Sequence, residues 1–165
     1  MYAPDEMLSE YFRQREIAKS SVADRKGIDN TPSDAVIEHA RNLALHVLDP
    51  IRKHFGPFTP QSWYRCELLE KEITANAYEE WCNANRLDHQ DEKSWAKYFA
   101  RKSHPLGQAV DIEIVGVSND LLFDWISMNL KFDQLIREFR KPGDPYSGWV
   151  HVSWSPNNRN QKFSI

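Results

Sequence analysis

His104 and Asp111 bracket a glycine turn in SHPLGQAVDIEI, Ser103 to Ile114, and a third metal-ligand type, His151, lies in WVHVSW. Both segments alternate apolar and polar residues as strands do, so side chains two apart share a face. Asp111 then projects with Ala109 and Glu113, away from Val110, Ile112 and Ile114. His151 projects with Trp149 and Ser153, away from Val150, Val152 and Trp154. If the two strands pair, Asp111 and His151 become neighbours, and the HPLG turn folds His104 over them. Two imidazoles and one carboxylate are the ligand set of a catalytic type of zinc site, in which the fourth position is left to water. Spacing alone is a weak signal, since a single histidine is more often a core or surface residue. Glu113 is either an acceptor behind a ligand histidine or an exposed carboxylate.

The elements that must position these residues follow from periodicity and punctuation. Residues 1–30 contain a short helical pattern, LSEYFRQREIAKS, and then turn formers in DRKGIDNTP; they read as a lead-in to one domain spanning 1–165. Thr31 as N-cap, Pro32 in the first turn and Asp34 near the positive helix end predict a helix start. Val36, Ala40, Leu43, Val47, Leu48 and Ile51 give that helix its apolar stripe, and Pro50 predicts a kink near its end. His39, His46 and His54 fall on or beside its polar face without metal spacing. FTPQSWYRC reads as extended. About 70–101 forms a helical insertion, two short helices around an Asn- and Asp-rich turn, with Trp81 and Trp95 among charges. SNDLLFDWISMNL is a capped helix with Leu121, Leu122, Trp125 and Ile126 as its stripe, and FDQLIREF is strand-like. The sum is an α+β fold, an antiparallel sheet with helices packed on one side.

Composition narrows the function classes. Apolar residues are 41% and charged residues 27%, with six Trp, six Tyr and eight Phe, as in an ordinary globular protein. A net charge of -3 offers no general attraction for nucleic acid. No apolar run approaches a membrane span, and the first residues are too polar for a secretory signal, so synthesis in the cytoplasm is the expectation. Cys66 and Cys82 carry no disulfide or zinc-knuckle pattern and read as free thiols.

SHPLGQAVD resembles the S-x-H-x-x-G-x-A-x-D motif of the zinc peptidases that include D-Ala-D-Ala carboxypeptidases, D,D-dipeptidases and phage L-alanyl-D-glutamate endopeptidases, and WVHVS resembles their closing W-x-H strand. KGIDNTP, VLDPIRKHFGPF, SWYRCELLE and FDQLIREF are similar in the same order. The resemblance implies a hedgehog/DD-peptidase-like fold, one Zn2+ per chain held by His104, Asp111 and His151, and peptidoglycan peptides as substrate. It implies Arg65 as the cation on the scissile carbonyl and its oxyanion, and Glu138 as general base. Many relatives place that acid three residues before the last histidine, where this chain has Gly148; Asp144 is then the fallback. Ser103 either orients substrate or bonds its own turn. Trp149 and Trp63 either line the cleft or belong to the core. Arg65 alternatively pairs with Glu67 or Glu70. The implied role is a phage or prophage lysis enzyme, reaching the wall through a holin-type release or as part of a virion. A non-catalytic zinc-binding interaction module and a virion structural protein of the same fold are the competing readings.

Overall fold

Leu8, Phe12 and Ile17, near the start of the chain, are buried in the same apolar cluster as the sheet residues Val110, Ile112, Val150 and Val152. That cluster was located in a computed structural model, which describes residues 1–165. The helical pattern expected over Leu8 to Lys19 is realised only as α1, Arg15–Ala18. Upstream, Met7 and Arg13 form a bridge instead, and Asp49 accepts from Ser9 Oγ at 2.8 Å. Burying Leu8 and Phe12 together with satisfied backbone outweighs local helix propensity there.

α2, Ser21–Lys26, leads to α3, Asp34–Leu43. Ser33, not Thr31, is the N-cap of α3, accepting from the Val36 N–H at 3.4 Å. A π-helical turn, Ala44–Leu48, joins α3 to α4, Asp49–Phe55. Pro50 explains the widened turn. It has no N–H to give, and the helix adjusts just ahead of it, with Asp49 N–H reaching back to Ala44 O. The apolar stripe survives: Val36, Ala40, Leu43, Val47, Leu48 and Ile51 are all buried.

The insertion is less symmetric than its sequence suggests. α5, Glu67–Asn85, is a long helix, and only α6, Glu92–Phe99, is short. Aromatic contacts join them, Tyr78 on Trp95 at 5.2 Å and Trp81 on Tyr98 at 5.4 Å between ring centroids. A 3-10 turn, His104–Leu106, then opens into β1, Ala109–Ile112. α7, Asn119–Asn129, follows with Ser118 as its cap; Leu122 and Ile126 are buried, but Leu121 is exposed, because its side faces solvent rather than the sheet.

β2 (Gln134–Glu138), β3 (Trp149–Ser153) and β4 (Gln161–Ser164) complete a sheet of order β1-β3-β2-β4. β3 is antiparallel to both β1 and β2, whereas β4 runs parallel to β2. The sheet is therefore mixed, not purely antiparallel. Helices also flank both of its faces. One face packs on α3, α4 and α7 through the shared core; toward the other, α5 and α6 form a wall of the cleft described next. No helix is long and apolar enough to cross a membrane.

Candidate metal centre

Strand register brings the first two ligand candidates together. Asp111 pairs directly with His151 across β1 and β3, and Ile136 pairs with His151 from β2, so all three share one face. Asp111 Oδ1 lies 2.9 Å from His151 Nδ1. A one-residue slip would turn both side chains into the core. On the far side of β1, Ser62 bridges to Asp111, with Asp111 N–H on Ser62 O at 2.8 Å.

His104 arrives from the 3-10 turn, and Gly107 makes that turn possible. Its φ is +71°, and a Cβ there would meet Val36 O at 2.8 Å. His104 Nδ1 lies 2.6 Å from Trp63 O, so that nitrogen carries the proton and donates to the carbonyl. Nε2 is then the free lone pair, 3.3 Å from Asp111 Oδ1. Trp63 is fully buried core and does not line the cleft; its carbonyl holds His104, and its ring Nε1–H donates to Gly107 O at 3.1 Å, pinning the same turn.

The donor atoms of His104, Asp111 and His151 all lie within 4.8 Å of one another, and all three residues are buried. Tetrahedral zinc with bonds of about 2.0 to 2.1 Å places its ligand atoms about 3.3 Å apart. The separations of Asp111 Oδ1 from His104 Nε2 and from His151 Nδ1, 3.3 and 2.9 Å, sit close to that edge. A metal ion of zinc's size and ligand preference fits this donor set. Burial, reinforced by Arg65's charge, lowers the pKa of His104 against the pull of Asp111, favouring the neutral ligand form. Burial alone would raise the Asp111 carboxyl, but the electrostatic attraction and hydrogen bonds of the neighbouring imidazoles, His104 foremost, hold it well below the usual range.

Arg65 braces the carboxylate from behind. Its Nη2 donates to Asp111 Oδ2 at 2.6 Å and its Nε to Ser62 Oγ at 2.9 Å, while Nη1 is 3.6 Å from Glu70 Oε2. Of the two acids weighed as its surface partners, Glu70 is the one it meets, and that carboxylate is only 1% exposed. Glu67 instead accepts from Trp95 Nε1 at 2.7 Å. Asn30 fixes the backbone on both sides of Arg65, donating to Tyr64 O at 3.0 Å and accepting from Cys66 N–H at 2.8 Å.

Glu138 ends β2 on the same face, with Oε1 3.9 Å from His151 Nδ1. Burial raises its pKa and the negative charge of Asp111 adds to this, against His151, Arg65 and Lys102. A carboxyl raised in this way holds its proton to higher pH than an exposed one. The alternative position for an acid, Gly148, is closed to any side chain. Its φ is +58°, and a Cβ would lie 1.8 Å from Glu138 O. Asp144 is exposed on the loop before it, accepting from Tyr146 N–H at 3.0 Å, and lines no part of the cleft. Glu113 falls beyond the end of β1, exposed and bonded to Gln61 Nε2; it supports neither histidine.

Arg65, Glu70, Ser103, His104, Asp111, Glu138, Trp149 and His151 all line one cleft of about 430 Å³. Ser103 gives its turn no capping bond, which leaves the hydroxyl to the cleft. It stands one residue nearer His104 than the S-x-H spacing places a serine; Lys102 holds that spacing. Trp149 is half-buried beside His151, with Phe139 packed on its ring at 4.8 Å. Asn30 and the Trp63 carbonyl leave no mark in the sequence as supports, because one reads as a turn former and the other is backbone. Cys66 and Cys82 are free. His46 and His54 stack on Trp154 and Trp125 at 4.3 and 4.6 Å, away from the metal candidates. No protein-family model, curated protein or solved structure matches the chain.

Proposed function

We propose that the chain is a zinc metallopeptidase of the D-Ala-D-Ala carboxypeptidase and L-alanyl-D-glutamate endopeptidase type, hydrolysing amide bonds in peptidoglycan stem peptides or cross-links. The observation that carries this reading is the convergence of three buried ligand groups, two from the sheet and His104 from the turn over it, beside a carboxyl of raised pKa, Glu138 Oε1 being 3.9 Å from His151 Nδ1. Purely structural zinc sites are usually closed by four protein ligands, whereas three with an acid beside them leave room for chemistry. The resemblance of SHPLGQAVD and WVHVS supplies the substrate class and the hedgehog/DD-peptidase-like fold.

His104 Nε2, Asp111 Oδ1 and His151 Nδ1 would hold the zinc ion. A bound zinc ion supplies Lewis acidity, lowering the pKa of water toward ~7 and polarising a carbonyl. Glu138 takes a proton from the attacking water and returns it to the leaving amine, which its raised pKa makes feasible in both directions. Arg65 orients Asp111 through the 2.6 Å bond, and its charge stabilises negative charge developing on the substrate carbonyl oxygen. Ser103 and Trp149 contact substrate along the cleft.

The same ion held without turnover describes a binding module, and one observation favours it as the second reading: Arg65 is engaged by Asp111 and Ser62 and faces Glu70, rather than standing free. Incubating the zinc-loaded protein with purified peptidoglycan and following new amino groups separates the two. Release that chelation abolishes is the expected result; zinc binding with no release from any wall fraction would leave the binding module. A phage or prophage lysis protein is the setting that the resemblance favours for the enzyme.

A further inference from the structure

Beyond the ligand trio, the cleft continues into a groove of about 650 Å³ that shares Tyr98, Arg101, Lys102, Ser103 and Gln134 with it. Its charge is one-sided. The groove's acid, Asp133, is already neutralised by Arg159, which donates from Nε at 2.7 Å and from its backbone N–H at 3.1 Å. Arg101 and Lys102 meet ring faces rather than carboxylates within the chain: Arg101 lies over Trp81 at 5.5 Å and Lys102 over Tyr98 at 4.0 Å. A ring face holds a cation laterally but accepts none of its N–H bonds in the strong, directed way that a carboxylate does. Two cations are thus positioned by α5 and α6 with their donors unspent, in a concave site continuous with the candidate metal centre.

We propose that Arg101 and Lys102 form a subsite for a carboxylate-bearing peptide segment flanking the bond presented to the metal centre. Arg101 offers a planar fork suited to two carboxylate oxygens, and Lys102 adds a point charge nearer the ligand trio along the chain. Trp81 and Tyr98 wall the groove, giving the segment's apolar atoms a surface. The helical insertion then has a role in substrate selection. This subsite rests on the peptidase reading for the nature of its ligand, while the binding itself needs no turnover.

The test is an NMR titration of the full chain, with and without zinc, using N-acetyl-L-alanyl-D-glutamate and its diamide as probes. Wild type is expected to bind the acid at least about tenfold more tightly than the diamide in both states. Replacing both cations, Arg101→Gln with Lys102→Gln, should erase that preference while leaving diamide binding unchanged, and Lys102→Arg should keep it. Equal affinity for the two probes in wild type, a preference that survives the double substitution, or equally tight binding of inorganic phosphate would overturn the proposal. Failure to cleave peptidoglycan would sink the peptidase reading without altering this titration, so the two are separable.

Discussion

Asp111 and His151 face each other across the β1 and β3 ladder, Oδ1 to Nδ1 2.9 Å, so the strand register itself brings together two of the three candidate metal ligands. His104 completes it from a separate turn. Because the three groups converge only in the folded chain, zinc bound there must stabilise the fold by linkage. At zinc about 100-fold above its dissociation constant the gain is about 2.7 kcal/mol. In a chain of this size that raises the thermal midpoint by roughly 5 to 10 °C. Differential scanning fluorimetry should show that rise in chelator-treated wild type and not in His104→Ala or His151→Ala.

Arg65 serves both the fold and the site. Arg65→Ala leaves Asp111 Oδ2 buried without its 2.6 Å partner, at a cost of about 1.5 to 3 kcal/mol in urea denaturation of the metal-free protein. Amide hydrolysis should fall about 100-fold or more in the same variant. A purely catalytic Arg65 would leave the denaturation midpoint where it was.

Gly148 is required by geometry. A Cβ 1.8 Å from Glu138 O, at φ +58°, forces the end of β2 and the start of β3 apart. Gly148→Ala should cost about 2 to 4 kcal/mol. Because the displaced residue is Glu138, hydrolysis should drop further than the lost stability accounts for, measured well below the unfolding temperature.

Acid stability reports on a pair away from the trio. Hydrogen bonds from Arg159 hold the Asp133 carboxyl below its ordinary value. A depressed carboxyl contributes its stability above the unfolded pKa of about 3.9 and loses it as pH falls through the folded value. Arg159 is half-exposed, so solvent screening reduces the contribution to about 1 kcal/mol. Asp133→Asn should be less stable than wild type by that amount at pH 7, with the difference shrinking as pH falls through the folded-state value.

The site was legible in the sequence where side-chain type and strand alternation coincide. Asp111 and His151 sit in period-two segments, so their common face followed once pairing was assumed, and FDQLIREF gave β2 for the same reason. β4 had no such signal. QKFS is short, mostly polar and exposed along its length, an edge strand defined by its parallel partner rather than by its own pattern. The stretch of α5 lacks a clear apolar stripe and so reads as a shorter helix than it is; aromatic packing on α6 and the buried Leu69 hold it instead. Thr31 and Ser33 both suit an N-cap, and Pro32 between them fits either start, so two residues separated expectation from structure. Glu113 shares the strand parity of Asp111, yet β1 ends at Ile112, and parity has no force beyond the last paired residue.

Zinc content and amide release from peptidoglycan, measured side by side for wild type and Glu138→Gln, decide both the metal site and the base. One zinc ion per chain is expected in both proteins, with release of new amino groups by wild type and a loss of about 100-fold or more in Glu138→Gln. Undiminished cleavage by Glu138→Gln would contradict the assignment of the base, and a wild-type chain that takes up no zinc would contradict the metal centre itself.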